Sequence, residues 1–262
     1  MSEPRRVALI SGASRGIGAA TAREMGRRGY HVVVNYRENT AAAEGVVDDI
    51  ERAGGSAEAR QADVRDGEQV GEMVRKVYAD HDRIDVLICN ANTVNPQFEP
   101  LLSLSWDTFI GKVGGELAGA FFLTRNVVPE MQRRGAGRIV YISSTAADWV
   151  GSVAAHSTAK AALNTFSRHV AAAAAEHGVT VNTVAFATVA TEASAGVLDD
   201  ELRRYTEERS VLGRMLTPED AARTVVAVAE ESFGAAVGQV IRVDAGYDVL
   251  EHQLHSTAKF YR

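Results

Sequence analysis

Apolar residues fall along this chain in short β-type runs that alternate with longer segments of helical spacing. Residues 7–10, 30–35, 57–62, 85–89, 138–143, 180–185 and 238–244 read as strands. Residues 17–28, 41–53, 67–81, 106–133 (one long helix or two), 158–177 and 218–230 read as helices. Gly29, Gly54-Gly55 and Gly178 close helices and Pro218 opens one, as their backbone preferences require. Strands that are continuously apolar, rather than alternating, belong to a parallel sheet covered on both faces. Seven of them predict one doubly wound α/β sheet, a single domain over residues 1–262. The five alanines 171–175 predict a helix that a neighbour approaches closely.

Composition narrows the classes. The 262 residues carry 28 basic and 34 acidic side chains, a net charge of −6. Nothing in that balance recruits nucleic acid or an anionic membrane. No stretch approaches the roughly 20 apolar residues of a membrane span, and the apolar run near the N-terminus is too short for a signal peptide. A cytoplasmic protein is the expectation. Cys89 is the single cysteine and sits in an apolar run, so it reads as a small buried hydrophobe. The seven histidines look scattered. His169 and His177 share a helix without carboxylates or cysteines beside them, so no metal site is expected.

The chemistry starts with Ser11-Gly12-Ala13-Ser14-Arg15-Gly16-Ile17-Gly18, which follows a strand and opens a helix. Such glycines permit a tight turn and close approach of backbone to a pyrophosphate, and the helix N-terminus offers N–H donors to it. The spacing resembles the short-chain dehydrogenase/reductase family over residues 5–247, a resemblance that implies a Rossmann-type fold and a nicotinamide cofactor. The second strand ends Val34-Asn35-Tyr36-Arg37, without an acid to hold an adenine-ribose hydroxyl. Arg15 and Arg37 offer forks suited to a 2′-phosphate, so NADP(H) is expected over NAD(H). Asp63-Val64 matches the family's dipeptide at the adenine. Asn90-Ala91 matches part of its Asn-Asn-Ala-Gly, and Asn92 stands where that motif has its last glycine. Asparagine tolerates positive φ, so the turn is expected to survive there.

The resemblance implies four catalytic groups: a tyrosine, a lysine four residues later, a serine about thirteen residues before the tyrosine, and an asparagine that anchors a water relay to the lysine. Lys160 matches the lysine, but the tyrosine position holds His156. Ser144 is favoured for the serine, with Ser143 an alternative because Ser144 to His156 is one residue short. Glu116 replaces the asparagine. Phe186-Ala187 replace the family's Pro-Gly, while Val189 and the carboxamide-contacting Thr191 follow in place.

His156 retains acid–base capacity, since imidazole titrates near 6.5 where tyrosine titrates near 10. As imidazolium it is a general acid toward a carbonyl oxygen; neutral, it is a base. Lys160 pushes it toward neutrality and a nearby Glu116 opposes that. Glu116 is expected to pair with Lys160, either holding it on the cofactor ribose or diverting it. Tyr205 falls in a variable segment, 191–216, that resembles the family's substrate lid. Tyr141 reads as core. Trp149 and Phe186 are candidates for the substrate wall. The leading expectation is an NADPH-dependent reductase of a ketone or ketoacyl-type substrate, free or carrier-bound, similar to β-ketoacyl carrier-protein reductases. It is expected to form a dimer or tetramer through residues 112–133 and 158–177. The alternatives are nucleotide binding without redox turnover, and acid/base dehydration or cyclisation through His156 and Glu116. A hydrolase is disfavoured, since His156 opens a helix beside a nucleotide cleft.

Overall fold

Strands apolar on both faces need a helical layer on each side, and the computed structural model of the chain has that form. It describes residues 5–95, 98–151, 153–196, 198–247 and 249. Strands β1 (Val7–Ile10), β2 (His31–Tyr36), β3 (Ser56–Gln61), β4 (Val86–Cys89), β5 (Gly137–Ser144), β6 (Val179–Phe186) and β7 (Val240–Val243) form one parallel sheet. Their order is β3-β2-β1-β4-β5-β6-β7. Helices α1 (Gly16–Arg27), α2 (Thr40–Arg52) and α8 (Pro218–Ala229) bury Met25, Ile50 and Val225 against one face. Helices α3 (Gly67–His81), α4 (Trp106–Arg134) and α5 (Ala154–Ala174) bury Val77, Leu123 and Leu163 against the other. Short helices α6 (Glu192–Ala195) and α7 (Asp200–Glu208) lie between β6 and α8.

Strand order reverses between β1 and β4. At such a point the connections leave in opposite directions and open a crevice beyond the strand ends. The segments after β1, β4, β5 and β6 therefore converge there, and they carry the glycine turn, Asn90, Ser144 and Thr191.

Local chemistry sets the helix ends. Asp66 accepts from the Glu68 and Gln69 N–H groups at the start of α3, Ser105 caps α4, and Thr217 with Asp220 forms a reciprocal box on α8. Helix α4 is one helix of 29 residues; burial of Leu123, Val127 and Met131 carries it past Pro129. Helix α5 starts at Ala154, earlier than expected, because Ala154 and Ala155 are strong helix formers. That start brings His156 into the helix, one turn before Lys160. Its far end tightens into a 3-10 turn and stops at Gly178, with φ 74°. In the alanine run only Ala171 and Ala174 are buried, so the close approach involves one stripe and the rest faces solvent.

Gly178 combines a left-handed backbone with a neighbour: an added Cβ would lie 2.1 Å from the Gly135 carbonyl oxygen. Backbone against backbone has little room to relax. Gly178→Ala is expected to lower stability by about 1–3 kcal/mol, measured by urea denaturation. An unchanged midpoint would show that the α4 and α5 ends are not packed in this way.

Candidate functional site

The glycine turn between β1 and α1 is braced from β4. Asn90 Nδ2 donates to the Ser11 and Gly12 carbonyls at 3.0 Å each, and Ser11 Oγ accepts from the Asn90 and Ala91 N–H groups. The space is tight. A Cβ on Gly18 would fall 2.4 Å from Gly12 O and 2.5 Å from Asn90 Nδ2, and one on Gly12, at φ 62°, would fall 2.8 Å from Ala91 Cα. Gly16, also at positive φ, faces Thr191, so the β6 segment closes over the turn. Helix α1 has no side-chain cap and no acid in its first turn. Its leading N–H groups, beside Ser14, Arg15 and Ile17, suit a phosphate.

Along β2 the next candidates diverge in role. Asn35 is buried and structural, its Nδ2 donating to the Ala62 carbonyl at 3.1 Å. Tyr36 is 8% exposed. Arg37 is exposed and pairs with Glu38 at 2.7 Å, an acid one residue beyond the strand end considered in the sequence. Arg65 grips Asp63 at 2.6 Å, which lowers the carboxyl pKa chiefly through that hydrogen bond. Val64 is buried against the α3–α4 side. Arg37 and Arg65 both act on Asp63, and sequence reasoning missed Arg65.

The catalytic end is organised by a buried triad of charges. Lys112, Glu116 and Lys160 are 1%, 5% and 6% exposed. Lys112 Nζ donates to Glu116 Oε2 (2.8 Å), Asn92 Oδ1 (2.6 Å) and Val94 O (2.7 Å), which uses all three ammonium hydrogens. Lys160 Nζ donates to Glu116 Oε1 and to Ile142 O (2.9 Å), which leaves one hydrogen. Burial alone would raise the Glu116 pKa, but the two lysines hold it well below the ordinary carboxylate range. Two expectations are corrected. Asn92 does not occupy a left-handed turn, since among the described residues only Asp82 and Ala245 are non-glycines at positive φ; its side chain binds Lys112 instead. Lys112, placed at the edge of a subunit interface, lies inside the protein. Its i, i+4 spacing to Glu116 was the available signal.

Burial pushes the His156 pKa down to about 3, helped by Lys160 and Lys112 and opposed by Glu116. His156 Nδ1 is buried without a hydrogen-bond partner. These causes favour the neutral imidazole at neutral pH. Ser144 Oγ accepts from the Ala146 N–H at 3.1 Å, leaving its O–H free to donate, and the side chain is only partly buried. Ser143 is 4% exposed, with an unpartnered Oγ. The 3-10 turn after Ser144 packs on α5.

A cleft of about 80 Å³ is lined by Trp149, Thr188, Tyr205, Met215 and Tyr247 among others. Trp149 packs on Tyr247 with ring centroids 5.2 Å apart, and Tyr205 is 44% exposed. Phe186 is not part of this wall; it is 3% exposed in the α1–α8 core. Tyr141 is core, as expected, and shares a 2.5 Å hydrogen bond with Thr124. Val189 pairs with Leu216, and Thr191 caps α6 through Ser194. The reading of the histidines as scattered fails at one place, at the start of β2, where His31 and His81 meet Glu58.

Glu116→Gln leaves the second lysine charge without its counterion and is expected to cost about 3–5 kcal/mol; an unaltered urea midpoint would contradict the triad. His156 gains a proton near 6.5 when unfolded but only near 3 when folded. Its stability contribution is complete above pH 6.5 and is lost as pH falls toward 3. Denaturation curves between pH 6.5 and 5 should therefore flatten in His156→Gln.

Comparison with known proteins follows the same lines. The family model described as enoyl-(acyl carrier protein) reductase matches residues 12–248. A 3-oxoacyl-[acyl-carrier-protein] reductase from Synechocystis sp. is 35% identical, over 92% of this chain and 96% of its own. The short-chain reductase NovJ of Streptomyces niveus is 36% identical over 92% and 93%. A solved structure described as an NAD(P)-dependent gluconate 5-dehydrogenase from Beutenbergia cavernae, with bound NADP, superposes with a TM-score of 0.87 at 34% identity, covering 95% of this chain and 98% of that one. With the braced glycine turn and the reversal of strand order, these matches make the chain a member of the short-chain dehydrogenase/reductase family of oxidoreductases.

Proposed function

We propose that this protein is an NADPH-dependent reductase of a ketone or ketoacyl-type substrate, free or carrier-bound, that works without the family's tyrosine. One observation carries the reading: a phosphate-type glycine turn meets, at the same strand ends, a serine hydroxyl and a lysine ammonium that each keep a hydrogen to donate. Gly12, Ser14, Gly16, Ile17 and Gly18 cradle the pyrophosphate. Arg15 and Arg37, with Arg65, face the 2′-phosphate. Tyr36, Asp63, Val64, Asn90 and Ala91 border the adenosine half, and Val189 and Thr191 border the carboxamide. Lys160 gives its remaining hydrogen to the nicotinamide ribose.

The nicotinamide cofactor, when bound, supplies a hydride to the carbonyl carbon. Ser144 donates to the carbonyl oxygen and stabilises the charge that grows there. The positive excess of Lys112 and Lys160 over Glu116 favours the same charge. His156, neutral, holds through Nε2 a water that gives its proton to the alkoxide, and the hydroxide left behind takes up a proton from solvent. Trp149, Tyr205 and Tyr247 receive the substrate's apolar body, and residues 191–216 act as its lid. A second copy of the chain packs on α4 and α5, where Phe121 is exposed.

Loss of nicotinamide absorbance over a panel of ketones and β-ketoacyl thioesters tests the activity. Turnover of at least one is expected. NADPH binding without any turnover would leave a nucleotide-binding protein in its place. For the cofactor, Arg37→Ala removes charge-assisted hydrogen bonds worth about 1.5–3 kcal/mol, so NADPH affinity should fall roughly 10- to 100-fold while NADH affinity holds. Equal losses for both would reject the phosphate assignment.

A further inference from the structure

At the opposite end of the sheet from the cofactor crevice, three side chains meet that have no part in the chemistry above. His31 opens β2, Glu58 lies on β3, and His81 ends α3. β3 is an edge strand. His31 pairs in register with Ser56, so His31, Ser56 and Glu58 share the sheet face that α3 covers. His81 reaches that face from the last turn of the helix. Their ligand atoms all lie within 4.8 Å of one another.

We propose that His31, Glu58 and His81 form a binding site for a divalent transition-metal ion of the zinc class. The distances favour it. Glu58 Oε1 is 3.1 Å from His81 Nε2 and 3.8 Å from His31 Nε2. A tetrahedral ion with bonds of about 2.0–2.2 Å needs ligand atoms about 3.3–3.6 Å apart, a value between the two. The hydrogen-bond pattern favours it as well. His31 Nδ1 lies 2.8 Å from Ser56 Oγ, and a hydrogen on Nδ1 leaves the Nε2 lone pair aimed at the cluster. His31 Nε2 is itself buried and has no hydrogen-bond partner, an orphan that an ion would satisfy. Ser56 then fills the outer-shell role usual for a ligating histidine.

Glu58 is prepared in the same sense. Its Oε2 is held by Arg60, which also binds Asp80 at 2.6 Å. That anchors the carboxylate and leaves Oε1 as a single ligand atom. The side chains are 13–23% exposed, so water has access to a fourth position. Two neutral imidazoles and one carboxylate suit zinc, cobalt and nickel over magnesium or calcium, which prefer all-oxygen ligands. An ion here ties the edge strand to the end of α3. It acts as a structural clip, since the glycine turn lies beyond the other end of β2.

The test uses untagged full-length chain stripped with a chelator. Zinc chloride is titrated calorimetrically, and cobalt(II) is followed by its visible absorption, which is intense only in tetrahedral sites. One ion per chain is expected, with tetrahedral cobalt bands. His31→Gln and His81→Gln should each weaken zinc binding at least about 100-fold, and Ser56→Ala about 10-fold. Circular dichroism establishes that each variant is folded. Should His31→Gln fail to fold, His81→Gln, at the helix end, carries the test. Absence of zinc uptake at 100-fold excess over protein would overturn the proposal, as would binding that His81→Gln leaves unchanged.

Discussion

The candidate active centre depends on one carboxylate between two ammonium groups. Glu116 takes a hydrogen from Lys160 on one oxygen and from Lys112 on the other, all three nearly out of water. Burying charges is costly unless every one is paired and its hydrogen bonds are met. Here Asn92 and the Val94 and Ile142 carbonyls meet most of them. The network carries one positive charge in excess. That excess, together with burial, holds His156 neutral, and so decides what kind of proton chemistry the site supports.

The residues that depart from the pattern the resemblance implies are therefore linked in space. Glu116 stands where the resemblance implies an asparagine with a water relay, and it reaches Lys160 directly. Asn92 stands where a glycine is implied, and its side chain serves Lys112. A site decaying at random has no reason to retain a buried network in which Lys112 uses every donor. The nucleotide end is built differently. A Cβ on Gly12 or Gly18 would meet backbone atoms at under 3 Å, and Asn90 binds the turn from the neighbouring strand. The two ends share β4, whose following residues 90–92 support the glycine turn first and the charge network next.

Much of this was legible in the chain because the relevant signals are local. Gly12, Gly16 and Gly18 sit at fixed spacing between a strand and a helix, and His156 and Lys160 are one helical turn apart. What escaped was decided across the sheet. Lys112 looked like an ordinary lysine near a helix start until α4 was set against α5 and the 92–94 loop. Phe186 was aromatic beside a cleft, and only the pairing of β6 shows that its side chain enters the core. Arg65 needed the return of β3 beside β2 to become a neighbour of Arg37. His31, Glu58 and His81 are 27 and 23 residues apart in sequence, and strand register, which no local pattern encodes, brings them together.

The central claim is that His156 works as a neutral relay in a positively biased site, in place of a tyrosine. It is tested most directly by the pH dependence of kcat for NADPH-dependent ketone reduction between pH 5 and 8. The account predicts no ionisation near 6.5 and a substantial loss of kcat in His156→Gln across that range. A kcat that falls through a midpoint near 6.5 in the wild type, with that midpoint absent from His156→Gln, would contradict it by showing that the imidazolium is the proton donor.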